Sequence, residues 1–193
     1  TLNPSIDGAC EAETVHPTRK VRTRHDRYDP GGGGINVARV VAELGGTAYP
    51  VYLAGGATGG VLTDLLARRG LSGRALPIAD HTRISHAVYE RSTGLEYRFV
   101  PEGPLVEPGE LAACLEAAGA CEAALLVASG SLPRGAPDDT YATLARRAAE
   151  RGVPFVLDSS GKGFAVAVEA GGIHLAKPSQ GEFEALIGRP LRE

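Results

Sequence analysis

Hydrophobic and polar positions follow a regular pattern in the second half of the chain. Short apolar runs without alternation, such as residues 124–128, are separated by amphipathic stretches with helical spacing. Apolar strands that alternate with amphipathic helices are typical of a parallel sheet with helices on both faces. The pattern therefore predicts an α/β fold here. The predicted helices cover about 108–119, 138–151, 162–170 and 180–187, and the predicted strands cover 124–128, 153–157 and 172–176.

The first half of the chain mixes this pattern with a second one. Residues 14–28 and 83–100 alternate loosely and carry many charges, as strands exposed on one face do. Residues 91–94 join two strand-like runs and are typical of a hairpin. Residues 1–3 are interpreted as the end of a strand, followed by a helix at 35–44, a strand at 48–54 and a helix at 59–69. We expect one domain, with a core of residues 1–9, 30–80 and 102–193 and a small β-sheet lid of residues 10–29 and 81–101.

The composition narrows the class of protein. The chain has 193 residues, is 43% hydrophobic and carries a formal net charge of -3, which suits one domain with a sizeable core. Mild acidity argues against nucleic acid or an anionic membrane as the main partner, and no apolar run approaches a membrane span. Cys10, Cys114 and Cys121 lack the spacing of a metal site or a disulfide framework. We therefore expect a cytoplasmic protein.

A run of four glycines, Gly31 to Gly34, precedes the predicted helix at 35–44. Such a run either forms a flexible turn or exposes backbone N–H groups to an anion or a polyol. A dinucleotide-binding loop is excluded because Asn36 stands where the third glycine belongs, and no Gly-Lys-Ser/Thr follows as in a Walker A loop. Asn36 can donate to and accept from a sugar hydroxyl.

Several motifs occur in a fixed order along the whole chain. They are Asn3-Pro4-Ser5-Ile6-Asp7, the run GGGGINVAR, residues 54–59 (AGGATG), Thr82-Arg83, residues 97–100 (YRFV), residues 129–133 (SGSLP) and residues 158–161 (DSSG). Each motif alone is weak, but the ordered set resembles the ribokinase-like carbohydrate kinases, in the phosphofructokinase B branch. The four consecutive glycines favour, within this branch, the kinases of fructose 6-phosphate.

The resemblance implies a fold and an activity. The fold would be a ribokinase-like αβα sandwich with a mostly parallel central sheet and a small β-sheet lid, with its C-terminal part missing. The reaction would transfer the γ-phosphoryl group of ATP, with Mg²⁺, to a sugar hydroxyl. By analogy the lid would form a homodimer.

The resemblance also implies which residues bind the sugar phosphate. Asp7 would hold sugar hydroxyls, although an Asx-type turn after Pro4 explains it as well. The pocket would be lined by Gly32, Gly33, Gly34 and Asn36, and the phosphate of the substrate would be bound by Lys20, Arg83, Arg98 and Ser131. A lone lid cation is otherwise a solvated surface residue. For Asp158, at the end of a strand, two roles stay open: ordering the pocket or capping the next turn.

A second group of residues would bind the nucleotide. Relatives carry Lys-Pro-Asn followed by a Glu, which orients the nucleotide phosphates and the water shell of Mg²⁺. This chain has Lys177, Ser179 and Glu182 at these positions, with Glu182 acting on the metal through water. Mg²⁺ keeps several waters when bound, so one indirect carboxylate is sensible. The Ser179 hydroxyl is shorter than an asparagine side chain and lacks its amide donor.

The catalytic base of the family comes from a late Gly-Ala-Gly-Asp motif, which does not occur in this sequence. We therefore expect the chain to be a fragment of a kinase and inactive by itself. The expected reaction of the parent is phosphorylation of fructose 6-phosphate to fructose 1,6-bisphosphate. Fructose 1-phosphate and tagatose 6-phosphate are alternative substrates, and a non-catalytic sugar-phosphate sensor is an alternative of another class. A ribose or nucleoside kinase is less favoured, since Arg83 and Arg98 would have no phosphate to bind.

Overall fold

The computed structural model describes residues 1–191 and has the predicted α/β organisation, with a parallel core and a separate small sheet. Within these residues, no helix is long and apolar enough to cross a membrane. The strands are β1 (Ser5–Ala12), β2 (Thr23–Gly31), β3 (Val51–Gly55), β4 (Arg74–Ile78), β5 (Arg83–Glu90), β6 (Glu96–Phe99), β7 (Leu126–Ser129), β8 (Phe155–Asp158) and β9 (Leu175–Ala176). The helices are α1 (Gly33–Glu43), α2 (Gly56–Arg68), α3 (Pro108–Ala120), α4 (Thr140–Glu150), α5 (Gly161–Ala170) and α6 (Gln180–Ile187).

The core strands are all parallel to their neighbours. β3 pairs with β4, and β8 pairs with β7 on one side and β9 on the other. One hydrophobic cluster contains Leu53 of β3, Leu144 of α4 and Leu157 of β8, so the two parallel sheets share a core. Ligands of open parallel sheets bind outside the carboxyl ends of the strands, which are Gly55, Ile78, Ser129, Asp158 and Ala176 here.

The two parallel sheets are separated by a cleft. β3 and β7 are not hydrogen-bonded to each other, and a cavity of about 690 Å³ lies between them, with Val37, Val41 and Leu125 among its apolar lining. The amino group of Thr1 donates to the carbonyl of Val51 (2.8 Å) at the edge of β3. The core strands are thus divided into a pair and a triplet.

The small sheet has the order β2-β1-β5-β6 and mixed directions. β1 is antiparallel to β2 and parallel to β5, and β6 is antiparallel to β5. The sheet already begins at Ser5, which pairs with both Gly31 and Arg83. Residues 5–9, which the sequence assigned to the core, are therefore part of β1, one of the two inner strands of the small sheet.

Several predicted elements differ from the structure. The first strand pair is Ser5–Ala12 with Thr23–Gly31, so the expected strands within 14–28 are wrong for residues 14–22. Between the two strands the chain leaves the sheet and forms a ten-residue loop, in which Thr18 has a positive φ. β4 was not predicted, because its short sequence RALPI contains Pro77 and follows a glycine. Residues 1–3 form no strand.

Candidate functional site

Three segments meet where the small sheet joins the core: residues 1–7, the glycine run and the loop after β7. The side chain of Asn3 contacts Ser131 in that loop. The glycines at the start of α1 pack against Asp7 on one side and Ser129 on the other. The junction therefore lies at the carboxyl end of β7, where ligands of parallel sheets bind.

Close packing explains two of the glycines in the run. A Cβ atom on Gly31 would collide with the carboxylate of Asp7. A Cβ atom on Gly33 would collide with the hydroxyl of Ser129 and lie 2.9 Å from the amide nitrogen of Gly130. Any larger residue would therefore separate α1 from the loop after β7. This leaves backbone, rather than side chains, facing the junction.

The other two predicted pocket glycines face the N-terminal segment. Gly32 has a φ of 107°, which favours glycine, and a Cβ atom there would lie 2.9 Å from Cα of Pro4. A Cβ atom on Gly34 would collide with the Thr1 hydroxyl. Asn36 is half-buried in the first turn of α1, where its N–H donates to the Gly32 carbonyl (2.9 Å). The contact of these residues with a sugar stays a prediction.

One face of the small sheet carries three of the predicted substrate residues. Residues paired directly across neighbouring strands have side chains on the same face, and every second residue along a strand shares it. Asp7 pairs with Ser85 on β5, and Arg98 pairs with Ala87. Arg83 lies two residues before Ser85. Asp7, Arg83 and Arg98 therefore share one face.

The Asp7 carboxylate is held through one of its two oxygens. Ser5 Oγ donates to Oδ1 of Asp7 (2.6 Å), and Asp7 is half-buried against Gly31. Within residues 1–191, no hydrogen bond to Oδ2 is formed. The observed partner is a serine side chain two residues earlier, rather than the backbone N–H of an Asx turn. The free oxygen can accept a hydroxyl hydrogen bond.

Arg83 holds the start of β5 against two loops. Its Nη1 donates to the Pro101 carbonyl (2.8 Å), and its Nη2 donates to the Asn3 carbonyl (3.0 Å). Its Nε is buried and has no partner in the described chain. Burial lowers the pKa of Arg83, while the negative charge of Asp7 opposes this effect. The residue keeps a desolvated, partly unsatisfied guanidinium at the junction.

Ser131 follows β7 and is held by a buried asparagine. Asn3 is 1% exposed. Its Nδ2 donates to Ser131 Oγ (3.1 Å) and to the Glu102 carbonyl (2.9 Å). Because the Asn3 carbonyl also accepts from Arg83, one residue connects the two predicted phosphate ligands Arg83 and Ser131. The structure brings these two residues to the same junction.

Asp158 connects two strand ends. Its Oδ2 accepts from Ser129 Oγ (3.1 Å) at the end of β7, and its Oδ1 pairs with Lys177 Nζ (3.1 Å) beyond β9. The Gly130 N–H also donates to the Asp158 carbonyl (2.9 Å). Of the two roles open from the sequence, these contacts support ordering of the pocket. N-capping of α5 falls to Ser160, which forms no side-chain cap bond.

A buried tyrosine of α4 also holds the loop after β7. Tyr141 OH donates to the Gly130 carbonyl (2.7 Å), and Ser159 Oγ donates to the same oxygen (3.0 Å). Burial raises the pKa of Tyr141 well above its ordinary value. The tyrosine therefore stays a neutral donor, and its role is to hold Gly130 between two candidate residues, Ser129 and Ser131.

Ser179 and Glu182 form a capping box at the start of α6. Glu182 N–H donates to Ser179 Oγ (3.3 Å), and Ser179 N–H donates to Glu182 Oε2 (2.7 Å). Such a box satisfies two backbone donors at the helix end. It occupies one carboxylate oxygen of Glu182 and leaves Oε1 for a ligand. Among the described residues, no three His, Cys, Asp or Glu side chains cluster as a metal site would require.

The structure does not bring Lys20 and Arg98 to this junction. Lys20 is exposed in the loop after β1. β1 itself continues for five residues, or about 16 Å, beyond Asp7 before this loop begins. Arg98 is exposed on β6 and forms a 3.6 Å ion pair with Glu96. Its register partner Ala87 lies four residues, or about 13 Å, from Arg83. A phosphate at Arg83 is therefore remote from both side chains.

Two residues of the junction were missed from the sequence. Asn3 lies in one of the ordered motifs without a predicted role, and of the two serines in the loop after β7 only Ser131 is a predicted ligand. Both are buried polar residues, with 1% and 2% exposure. A polar residue next to a predicted buried strand end was the available signal, because buried polar groups need partners.

Comparisons with known proteins show which family the chain is similar to. Residues 1–193 match the pfkB family of carbohydrate kinases. The chain is 42% identical over 193 residues to an ATP-dependent 6-phosphofructokinase isozyme 2 of Mycobacterium tuberculosis, covering 99% of this chain and 56% of that protein. It is 31% identical over 196 residues to a 1-phosphofructokinase of Xanthomonas campestris, covering 99% of this chain and 62% of that protein.

A solved structure shows the same fold. The phosphofructokinase-2 of Escherichia coli in complex with fructose-6-phosphate superimposes with a TM-score of 0.94 at 38% sequence identity, and the match covers 100% of this chain and 64% of that one. The chain therefore spans between about half and two thirds of the relatives it matches. The match to the family over the whole chain confirms the resemblance found in the sequence: the chain belongs to the pfkB family of carbohydrate kinases and has their ribokinase-like fold.

Proposed function

We propose that the protein containing this chain is an ATP-dependent sugar-phosphate kinase that converts fructose 6-phosphate to fructose 1,6-bisphosphate. The observation that carries this proposal is Arg83, a half-buried cation that Asn3 holds at the same junction as the Ser131 hydroxyl. A charge-assisted hydrogen bond from a guanidinium to a phosphate oxygen is stronger than one between neutral groups. The isozyme 2 relatives and the fructose-6-phosphate complex in E. coli support this choice of substrate.

In this proposal the junction orients the acceptor sugar. Arg83 and Ser131 bind its phosphate, and the free Oδ2 of Asp7 accepts a hydrogen bond from a sugar hydroxyl. The glycine run lets the sugar approach the backbone at the start of α1, where N–H groups are unpaired. Together these groups fix which hydroxyl faces the nucleotide.

Nucleotide contacts are assigned to the neighbouring strand end. Lys177 would bind phosphate oxygens of ATP, since its ammonium group is exposed apart from the contact with Asp158. Mg²⁺ supplies charge neutralisation of the phosphates when bound. Glu182 fits an indirect role toward it, because one carboxylate oxygen stays free for a metal-bound water. ATP is a cytoplasmic metabolite, and we place the activity in the cytoplasm.

Asp158 is not proposed as the base that removes the hydroxyl proton. Its two carboxylate oxygens already accept from Ser129 and pair with Lys177. We therefore assign it to positioning the loop after β7.

A second candidate function follows from α6. Position 179 carries a serine, which has no amide side chain. The capping box also occupies one carboxylate oxygen of Glu182. A chain with weakened nucleotide contacts could serve as a sugar-phosphate sensor. The 1-phosphofructokinase relative also keeps fructose 1-phosphate open as the substrate, with tagatose 6-phosphate as the other sugar phosphate.

The second face of the small sheet is proposed to form a homodimer. Tyr28 and Phe99 are 53% and 58% exposed there, and they line a depression with Val88 and His86. Exposed aromatic side chains around a depression are typical of an interface. Phe99→Asp should convert the dimer to a monomer in analytical ultracentrifugation, whereas an unchanged dimer would contradict this assignment.

The test of the proposed function compares phosphorylated and free sugar in the complete gene product. Arg83→Ala should raise KM for fructose 6-phosphate at least tenfold in a coupled ADP-release assay, with little change for fructose. Arg74→Ala removes an exposed cation from β4 and is the matched control. An equal effect of Arg83→Ala on both sugars would contradict the phosphate role. Binding of fructose 6-phosphate without ATP turnover would favour the sensor.

A further inference from the structure

We infer that Asn3 is a positioning residue that sets the direction of the Ser131 hydroxyl, so that this hydroxyl donates to the substrate phosphate. This inference rests on the proposed function. Asn3 precedes the small sheet and is 1% exposed, so its amide is enclosed by protein. Its side chain joins the loop after β7 to the chain that returns from β6.

The orientation of the Asn3 amide follows from its partners. The Glu102 carbonyl lies 2.9 Å from the amide and can only accept a hydrogen bond. The nitrogen, and not the oxygen, of the amide must therefore face Glu102. The same nitrogen lies 3.1 Å from Ser131 Oγ, so its second proton points to that oxygen.

The direction of the serine hydroxyl follows in turn. Because Asn3 donates, Ser131 Oγ accepts, and its own proton is directed elsewhere. Within residues 1–191, the Ser131 hydroxyl donates to no other group, and the residue is exposed. A phosphate is a pure acceptor when fully ionised, so it requires a donor at this place. Asn3 thus leaves Ser131 with one available proton.

Asn3 also sets the position of Arg83. Its backbone carbonyl accepts from Arg83 Nη2 (3.0 Å), so the cation and the hydroxyl are attached to the same residue. Their spacing is therefore fixed by one buried asparagine rather than by two independent loops. This makes the pair suited to two oxygens of a single phosphate.

The amide is kept in place at an energetic cost. Asn3 Oδ1 is buried and has no partner in the described chain, and leaving such an acceptor unpaired is unfavourable. A Cβ atom on Gly103 would collide with this oxygen, and Gly103 has a φ of 108°. An apolar residue at position 3 would avoid the unpaired oxygen but would give no donor to Ser131.

A double-mutant cycle in the complete gene product tests the inference. Calorimetric Kd values for fructose 6-phosphate and KM values for fructose are measured for wild type, Ser131→Ala, Asn3→Ala and the double variant. Ser131→Ala should weaken binding of the sugar phosphate about tenfold. Asn3→Ala should weaken it severalfold, with KM for fructose unchanged. In the Ser131→Ala background, Asn3→Ala should add less than twofold.

Two further variants keep the result interpretable. Tyr52→Phe removes a buried hydroxyl bond to Thr63 (3.2 Å) that involves neither Asn3 nor Ser131, and it should leave the Kd unchanged. If Asn3→Ala does not fold, Asn3→Ser replaces it in the cycle, because one short hydroxyl cannot bond both Glu102 and Ser131. If the double variant weakens binding by the product of the two single effects, the role of Asn3 is overturned while the proposed function stands. Wild type that binds no fructose 6-phosphate would overturn the proposed function as well.

Discussion

The two regions that the sequence assigned to phosphate binding are built in opposite ways. At the junction, Asn3, Arg83 and Ser131 form a partly buried network in which each group has a fixed neighbour. At the far end of the small sheet, Lys20 and Arg98 are exposed and nearly free of contacts. Ordering a long exposed side chain on binding costs conformational entropy. A preset network therefore contributes more to affinity and specificity than cations of equal charge on a free surface.

The largest effect is expected where a substitution separates the segments of the junction. Gly33→Val places side-chain atoms against Ser129 and Gly130. We expect the free energy of unfolding in urea to fall by about 3 kcal/mol. Gly60→Ala, in α2, is the matched control because a Cβ atom there meets nothing within 4 Å. It should raise stability by up to about 1 kcal/mol, and equal small effects of both would contradict the crowding argument.

A smaller effect is expected when one hydrogen bond of the junction is removed. Ser129→Ala leaves Asp158 without its buried donor. Because Asp158 is partly exposed, we expect a loss of about 1–2 kcal/mol in the same urea experiment. Ser160→Ala removes an exposed hydroxyl that forms no cap bond, and it should change stability by less than about 0.5 kcal/mol. A loss for Ser160→Ala as large as for Ser129→Ala would refute this assignment.

The small sheet has one buried carboxylate whose effect depends on pH. Glu90 is 3% exposed and accepts from Thr93 Oγ1 (2.5 Å), Val15 N–H (2.6 Å) and Tyr97 OH (3.1 Å). The hydrogen bond from Thr93, followed by those from Val15 and Tyr97, lowers the pKa of Glu90. This contribution to stability is therefore complete above the unfolded pKa of roughly 4.3 and is lost as pH falls through the lower folded value.

Glu90→Gln should flatten this pH dependence. Between about pH 5 and pH 3 the melting temperature of wild type should fall more steeply than that of the variant. Glu96→Gln, on exposed β6, is the control and should behave like wild type in this comparison. Parallel curves for wild type and Glu90→Gln would show that the carboxylate does not hold the loop at residues 13–22.

The smallest effect is expected for Arg98→Ala. The Arg98 side chain is 73% exposed and its pair with Glu96 is long, at 3.6 Å. The free energy of unfolding should change by less than about 0.5 kcal/mol. KM for fructose 6-phosphate should change less than twofold in the complete gene product. A tenfold rise in KM would show that the far end of the sheet closes onto the substrate and would remove the contrast with Arg83.

The sequence predicted the helices of the core well because their signals are local. Amphipathic spacing set α3 to within one residue of the predicted 108–119, and α6 was placed at 180–187. Ordered motifs identified Asp7, Arg83 and Ser131, which the structure brings to one junction. These motifs carry their information in residue type and order, so no long-range contact was needed to recognise them.

The remaining features depend on contacts distant in sequence. β4 lies in a short segment with a proline, and its partner β3 is more than 20 residues earlier. The role of Asn3 depends on Glu102 and Ser131, which are 99 and 128 residues away. Lys20 and Arg98 have suitable chemistry, but their distance from the junction depends on strand register. None of these relations is encoded in local periodicity.

Three paired residues at the base of the small sheet connect it to the core. Ser5, Gly31 and Arg83 lie side by side, and three of the four connections to the core pass through this row. The fourth, after Phe99, is attached to it by the bond from Arg83 to the Pro101 carbonyl. A tilt of the small sheet relative to the core would therefore bend the backbone at these three residues. Because Arg83 donates to the carbonyls of both Pro101 and Asn3, such a tilt would also stretch the bonds that hold its guanidinium.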